Sequence, residues 1–294
     1  MVITDKNQIG FIHNSKVPGA LELVKSLITN LKIPNTWVSS ATELINFENE
    51  FNNTHAVIIV GGDGTILRTI RILNKFNVPV IGIKMGKIGF MAELTPENSY
   101  ELLPKYLDNQ LIDQNMIRIE KRMMLEANII ESNGKDSRLT LHALNEISVG
   151  NSKVSRLVEL ETAVNHTHLT NFRADAVIIS TATGSTGYAL SAGGPIIFPE
   201  AEMILLQPVA AHTGLRDGLI LDPKTVIELK PSIDYEASIS ADGFENTILN
   251  PGEKIIVTKS PNNALFLRAH QPDFFYEALN MRLGLAYRTQ RQAE

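Results

Sequence analysis

Ala56-Val57-Ile58-Ile59-Val60-Gly61-Gly62-Asp63-Gly64-Thr65-Ile66-Leu67 is the stretch that decides how this chain folds. Its first half is apolar and largely β-branched, the pattern of a buried strand. After Thr65, the residues Ile66, Leu67, Ile70, Leu73 and Phe76 recur at helical spacing. The glycines and the aspartate therefore lie on a strand–loop–helix turn. Glycines there let backbone N–H groups approach an anion, and the helix N-terminus adds its positive dipole. A phosphate loop would ordinarily exclude a negative charge, so Asp63 must serve a purpose, either holding a metal ion or taking a proton. The plainer alternative is an Asp-Gly turn capped by Thr65. The density of glycine around one carboxylate favours phosphate chemistry over it.

Outward from this turn, the first third of the chain alternates strand and helix. Gln8 to His13 reads as a strand, and Ala20, Leu21, Val24, Leu27 and Leu31 mark an amphipathic helix. Residues 35–39 read as a second strand, 41–52 as a second helix, and Val78 to Ile83 as a further buried strand. Short apolar strands joined by helices argue for a parallel sheet covered on both sides. Ligands of such sheets sit beyond the carboxyl ends of the strands, where Gly61–Thr65 falls.

From about residue 116 the period changes to alternation, at 117–131, 139–149, 155–162, 164–172, 225–230, 236–240 and 254–260. Asn133-Gly134, Asp242-Gly243 and Pro251-Gly252 punctuate these runs as turns. This is an all-β pattern, a sandwich or stacked-sheet domain. Asp273 to Leu283 returns to helical spacing and is expected to pack back on the first domain. The expected division is an α/β domain over 1–115, joined by the helix within 270–294, and a β-rich domain over 116–269.

Composition narrows the classes. At 294 residues the chain is long for one core and suits two domains. Its 44% hydrophobic and 20% charged content is ordinary for a soluble globular protein. A net charge of -5 argues against nucleic acid as the main partner. The absence of cysteine excludes disulfides and thiolate metal sites. The N-terminus lacks a signal-peptide pattern, and no apolar run approaches the ~20 residues a bilayer span needs. A cytoplasmic location, with no membrane partner, is the expectation.

Two further segments carry chemistry. Thr183-Gly184-Ser185-Thr186-Gly187-Tyr188, then Ser191-Ala192-Gly193-Gly194-Pro195, follows a buried strand at Ala176 to Ile179. Compact hydroxyls, glycines that permit close approach and an aromatic face are what a nucleotide site needs. A Ser/Thr/Gly-rich loop with Tyr188 in the core is the structural alternative. Asn145-Glu146 follows the strand-like Leu141 to Leu144. Neighbouring side chains on a strand point to opposite faces, so both serve one ligand only at a strand end or bulge. Alone, the pair reads as a solvated strand end.

Taken in order, these three segments closely resemble the NAD kinase family, whose marks are a Gly-Gly-Asp-Gly-Thr loop, an Asn-Glu pair and a Gly-Ser-Thr-x-Tyr-x-x-Ser-x-Gly-Gly-Pro stretch. Arg68 and Arg71, Gly82 with Gly86 and Gly89-Phe90, Asp175, Asp242-Gly243 and Arg282-Leu283 match the flanks, so the resemblance covers roughly residues 57 to 284. It implies a Rossmann-like N-terminal domain with a β-sandwich-like C-terminal domain, self-association to a dimer or tetramer, and NAD bound between the domains at a subunit interface. It implies Mg2+-dependent transfer of the ATP γ-phosphoryl group to the adenosine-ribose 2′-hydroxyl of NAD, giving NADP. By the same resemblance Asp63 would be the general base. Gly61, Gly62, Gly64, Thr65 and Arg68 would take the ATP phosphates. Asp63, Gly64, Phe90, Asn145, Thr183, Thr186, Gly187, Tyr188 and Ser191 would line the NAD site, Glu146 would hold its ribose, and Asp175 would face the nicotinamide half. The resemblance assigns no residue to the metal.

The chain departs from the family pattern in places. Ala182 stands where proline is usual, Gly187 where alanine is, and Lys84 where many members carry asparagine. Lys84 reads more readily as a solvated loop lysine than as a phosphate-binding cation. Gly82 to Lys87 looks like a shortened Walker A but lacks its spacing and its Ser/Thr. His166-Thr167-His168 reads as a solvated hairpin without a third metal ligand. His212 is given no catalytic role. Lipid kinases share the Gly-Gly-Asp-Gly-Thr loop, and a catalytically silent dinucleotide sensor would share the rest. The 183–195 stretch disfavours the first, and Asp63 within an intact loop disfavours the second.

Overall fold

The computed structural model describes residues 8–86, 89–108, 116–134, 136–153 and 156–284. They divide into two units, one running up to Lys121 and resuming at Leu265, the other Arg122–Ala264.

The first unit is built on β1 (Gln8–His13), α1 (Ala20–Leu31), β2 (Thr36–Ser40), α2 (Glu48–Phe51), β3 (Thr54–Gly61), α3 (Asp63–Leu73), β4 (Val80–Lys84) and α4 (Pro96–Leu107). Its strands are parallel in the order β2-β1-β3-β4. The helix expected over 41–52 is instead a 3-10 turn, Leu44–Phe47, followed by the single-turn α2. Every residue of β3 is buried. Ala56, Ile58 and Val60 enter one core with Val24 and Leu27 of α1 and Leu103 and Tyr106 of α4. The alternate residues Val57 and Ile59 point to the other face, toward α3, which buries Ile66, Leu67 and Ile70. Chain order along the sheet reverses between β1 and β3, and a ligand crevice opens at the carboxyl ends of strands at such a reversal. There Asn14, just after β1, donates from Nδ2 to Thr65 Oγ1 at 3.1 Å, tying the two loops together.

The second unit contains two sheets. Arg118–Ile130 (β5), which starts in the first unit, pairs with Ser137–Ala143 (β6). Then follow β7 (Glu146–Asn151), β8 (Val158–Val164), β9 (Thr167–Ala174), β10 (Ala176–Thr181), the short helix α5 (Tyr188–Ser191), β11 (Ile204–Val209), β12 (Leu219–Leu221), β13 (Ile227–Pro231), β14 (Ala237–Ala241), β15 (Phe244–Ile248) and β16 (Lys254–Arg268). One sheet has the order β12-β11-β10-β7-β14-β15; in the other, β13 pairs antiparallel with both β16 and β8, and β8 pairs with β9. Leu125, Leu160, Phe172, Leu229 and Val257 from one sheet meet Ile147, Val149, Val177, Ile179, Leu206 and Ile239 from the other in one apolar core. That is sandwich packing, each strand alternating inward and outward residues.

Through β16 the chain returns to the first unit, where Phe266 pairs in parallel with Val80, and it ends in α6 (Phe274–Leu283). Arg268, buried, bonds Glu93 at 2.8 Å and Glu120 at 3.2 Å, and the Tyr106 hydroxyl donates to Glu93 at 2.8 Å. No helix among the described residues is long and apolar enough to cross a membrane.

Candidate active site

The Gly61–Thr65 turn sits at the carboxyl end of β3 and forms the first turn of α3. Gly61 is forced by packing, since a Cβ there would lie 2.6 Å from Thr65 Oγ1. Gly62 and Gly64 are different: a Cβ on either would meet nothing within 4 Å. Neither packing nor backbone strain requires glycine at these two positions, and both leave open space in front of the helix N-terminus. Thr65 is buried beneath the turn, and Arg68 follows one helical turn later, half-buried.

Asp63, first residue of α3, has its two carboxylate oxygens in different settings. Oδ2 accepts the backbone N–H of Phe90 at 3.1 Å and lies 3.7 Å from the Arg282 guanidinium. Oδ1 is buried and has no hydrogen-bond partner among the described residues. Lys84 Nζ stands 3.8 Å from Oδ1, with 16% of its side chain exposed. The expectation of a solvated Lys84 is therefore corrected: at the end of β4, in register with Gly61, the side chain turns inward to the carboxylate. Burial pushes its pKa down and nearby Arg282 adds to this, while the Asp63 carboxylate pulls it back up. Gly89 closes the pair from the side, because a Cβ there would overlap both the Asp63 carboxylate and the Lys84 ammonium. Arg282 of α6 lies 4.2 Å from the centre of the Phe90 ring, a cation–π contact, and Phe275 packs near the same ring.

In the second unit, Asn145 and Glu146 lie at the break between β6 and β7, where the sequence pattern suggests one unbroken run over 139–149. The break has a cause. The Asp242 carboxylate accepts three consecutive backbone N–H groups, from Leu144 at 2.9 Å, Asn145 at 2.7 Å and Glu146 at 3.1 Å. Those amides are thus taken from the sheet ladder. Asp242 and Gly243, both at positive φ, form the two-residue loop of the β14–β15 hairpin. This brings the Asn145 and Glu146 side chains to a strand end, the one place where neighbours can serve a single ligand.

The Thr183–Tyr188 turn, which follows β10, wraps over this pair. Asn145 carbonyl accepts from Thr181 N–H at 2.9 Å and from the Ser180 hydroxyl at 3.2 Å. The Ser185 hydroxyl donates to Ala182 carbonyl at 2.6 Å and accepts from Ile197 N–H at 2.9 Å, pinning the turn from inside. A methyl on Gly187 would stand 3.4 Å from both Asn145 Nδ2 and Glu146 Oε2. Three buried polar atoms here have no partner among the described residues: Asn145 Oδ1, Glu146 Oε2 and Thr183 Oγ1. Buried polar atoms are nearly always paired, so a cluster of unpaired ones is the signature of a site for a polar ligand. Burial, with the Asp242 charge beside it, pushes the Glu146 carboxyl up to about 8. Near pH 7 Glu146 is largely neutral and can donate as well as accept. Thr186 caps back to Thr183 carbonyl at 3.1 Å. Tyr188 is 44% exposed rather than in the core, and Ser191 is exposed at the end of α5.

Asp175 is not part of this cluster. It is exposed, at the β9–β10 junction, at the start of β10 while Thr183 lies past its end, roughly 20 Å along the strand at about 3.3 Å per residue. Among the decoys, His166 bonds Glu228 at 2.6 Å and His168 bonds Asn171 at 2.9 Å. No group of three or more His, Asp or Glu positioned to hold a metal ion occurs among the described residues.

Comparisons with known proteins identify the family. Residues 14–111 match the ATP-NAD kinase N-terminal domain and residues 144–269 the ATP-NAD kinase C-terminal domain. An NAD kinase of Dehalococcoides mccartyi is 33% identical over 279 residues, 94% of this chain and 95% of that one. An NAD kinase of Trichlorobacter lovleyi is 35% identical over 221 residues, 74% of this chain and 75% of the other. Among solved structures, an NAD kinase from Archaeoglobus fulgidus in complex with ATP is 26% identical with a TM-score of 0.72, covering 90% of this chain and 95% of that one. Yeast NADH kinase complexed with NADH shares the fold, with a TM-score of 0.82 at 23% identity over 96% of this chain and 89% of the other.

Proposed function

The chain belongs to the NAD kinase family, and from that premise we propose that it transfers the γ-phosphoryl group of ATP to the adenosine-ribose 2′-hydroxyl of NAD, producing NADP. The observation that carries this reading is the asymmetry of Asp63. One oxygen is anchored by Phe90 N–H, and the other is buried and without a hydrogen-bond partner among the described residues. A carboxylate so held is oriented to take a proton from a hydroxyl placed against its free oxygen. General-base catalysis of this kind contributes about 10²–10⁴-fold. The remainder comes from alignment and from neutralising phosphoryl charge.

In this reading Gly61, Gly62 and Gly64, with Thr65 supporting the turn from beneath, let the phosphates approach the N-terminus of α3, and Arg68 adds charge. Phe90, Asn145, Thr183, Thr186, Gly187, Tyr188 and Ser191 hold the adenine end of NAD, Glu146 takes ribose hydroxyls, and Asp175 meets the nicotinamide half. Residues 1–115 with 270–294 carry the phosphate loop, and 116–269 the dinucleotide subsite. A dinucleotide substrate accounts for the unpaired atoms of Asn145, Glu146 and Thr183, which a lipid substrate would leave unexplained.

Magnesium fits this residue set as a companion of the nucleotide, since Mg2+ commonly keeps its waters and binds through substrate phosphates with one or two carboxylates at most. Bound there, it would neutralise phosphoryl charge. We further read the protein as a cytoplasmic homo-oligomer, dimer or tetramer. The test of the reaction is NADP formation from NAD, ATP and magnesium, followed with an NADP-specific dehydrogenase. Sustained NADP production supports the reading; NAD binding without any NADP, with ATP or polyphosphate as donor, would replace it with a dinucleotide sensor.

A further inference from the structure

Asp63 and Lys84 face each other without touching. Their 3.8 Å separation exceeds the roughly 2.7–2.9 Å of a charge-assisted hydrogen bond. Oδ1 of Asp63 is buried with no hydrogen-bond partner among the described residues, and Lys84 Nζ stops 3.8 Å short of it. One oxygen atom at ordinary hydrogen-bond distance from each closes the gap. Its chemistry is constrained, because it must donate to the carboxylate and accept from the ammonium at once. A phosphate oxygen accepts only and would repel Oδ1. A hydroxyl does both. Gly89 fixes the position of the pair, since no side chain fits between its backbone and these two groups.

We propose that Lys84 is a second catalytic residue, donating a hydrogen bond to the 2′-hydroxyl that is phosphorylated while Asp63 Oδ1 takes that hydroxyl's proton. This rests on the NAD kinase reading. As the bond from the 2′-oxygen to the γ-phosphorus forms, the bond from that phosphorus to the β–γ bridging oxygen breaks, and its electron pair leaves with ADP. The hydroxyl proton passes to Asp63. Lys84 stays protonated and stabilises the charge that develops on the attacking oxygen.

The test is a cycle between one protein group and one substrate group. Affinities for NAD and for its adenosine-2′-deoxy analogue are measured on wild-type protein and Lys84→Met, with NADP formation and thermal melting alongside. A hydrogen bond to a charged group is worth roughly tenfold in affinity, and the 2′-hydroxyl makes one to each of Asp63 and Lys84, so wild type should bind NAD about 10²-fold tighter than the analogue. In Lys84→Met that preference should shrink about tenfold, leaving the part that Asp63 supplies, and kcat should fall about 10²-fold, with Lys84→Arg restoring part of it. If Lys84→Met does not fold, Lys84→Leu, which also lacks a donor, carries the same comparison. A folded variant that keeps the wild-type preference for NAD, or a wild type without that preference, overturns the assignment of Lys84 alone. A wild type that makes no NADP overturns the NAD kinase reading and this assignment with it.

Discussion

Asp242 holds Glu146 by its backbone, accepting the Glu146 N–H at 3.1 Å while its own N–H donates to Glu146 carbonyl at 2.9 Å. The same carboxylate takes the amides of Leu144 and Asn145. Asp242→Ala leaves three amides without their acceptor. We expect a loss of about 3 kcal/mol in stability, from hydrogen bonds to a charged group, together with a Kd for NAD raised more than about tenfold. Urea unfolding and NAD titration check the two effects separately; a folded variant with wild-type affinity would limit Asp242 to a structural role.

Glu146 ties stability to pH. Its folded-state pKa is raised from 4.5 to about 8, so between those values the folded state keeps a proton that the unfolded chain has lost. Its contribution is fully present below pH 4.5 and is lost as the pH climbs to about 8. Glu146→Gln removes the titration. Its stability relative to wild type should therefore rise steadily from pH 5 to pH 8, while its affinity for NAD falls. Urea unfolding at both pH values tests this, and a difference that does not change with pH counts against a buried, proton-bearing Glu146.

Gly89→Ala probes the crowding around Asp63 and Lys84. Because a Cβ there meets the far ends of two side chains, the fold should survive while the reacting groups shift. A displacement of about 1 Å at a reacting centre costs on the order of 10²-fold in rate. Turnover should drop by at least tenfold on this basis, with the melting temperature little changed. Wild-type turnover in Gly89→Ala would mean that the pair sits elsewhere during catalysis.

Much of this architecture is legible in the sequence because it is local. The β3–α3 turn announces itself through a β-branched run, glycines and helical spacing within one short stretch. The Asp242-Gly243 turn follows from two residues that tolerate positive φ. What escapes the sequence is what distant segments do to each other. Lys84 reads as a loop lysine because nothing next to it in the chain indicates that it turns toward Asp63. The break at Leu144-Asn145 is made by a carboxylate 97 residues from Asn145, so the alternation over 139–149 gives no sign of it. Arg282 shows only as one residue of the final helix, with its proximity to Asp63 and Phe90 invisible until the fold assembles. The unpaired atoms of Asn145, Glu146 and Thr183 likewise depend on burial, which residue order does not record.

Arg268 anchors the returning strand through two carboxylates, Glu93 and Glu120. Replacing it with methionine preserves bulk but removes the buried cation, leaving Glu93 with the Tyr106 hydroxyl and backbone N–H donors and Glu120 with Arg118. Breaking a buried ion pair from one side costs about 3–5 kcal/mol. Arg268→Met should unfold at correspondingly lower urea, and near-wild-type stability would show that the remaining partners of Glu93 and Glu120 suffice to hold both carboxylates.

The proposed chemistry depends on Asp63 acting as the base. Turnover and NAD affinity of Asp63→Asn against wild type are the decisive comparison, because asparagine keeps the size and the contact to Phe90 N–H but cannot take the proton. We expect kcat to fall by at least about 10²-fold, with the Kd for NAD changed less than about threefold, under 1 kcal/mol. An Asp63→Asn protein that retains most of its turnover would rule out Asp63 as the base.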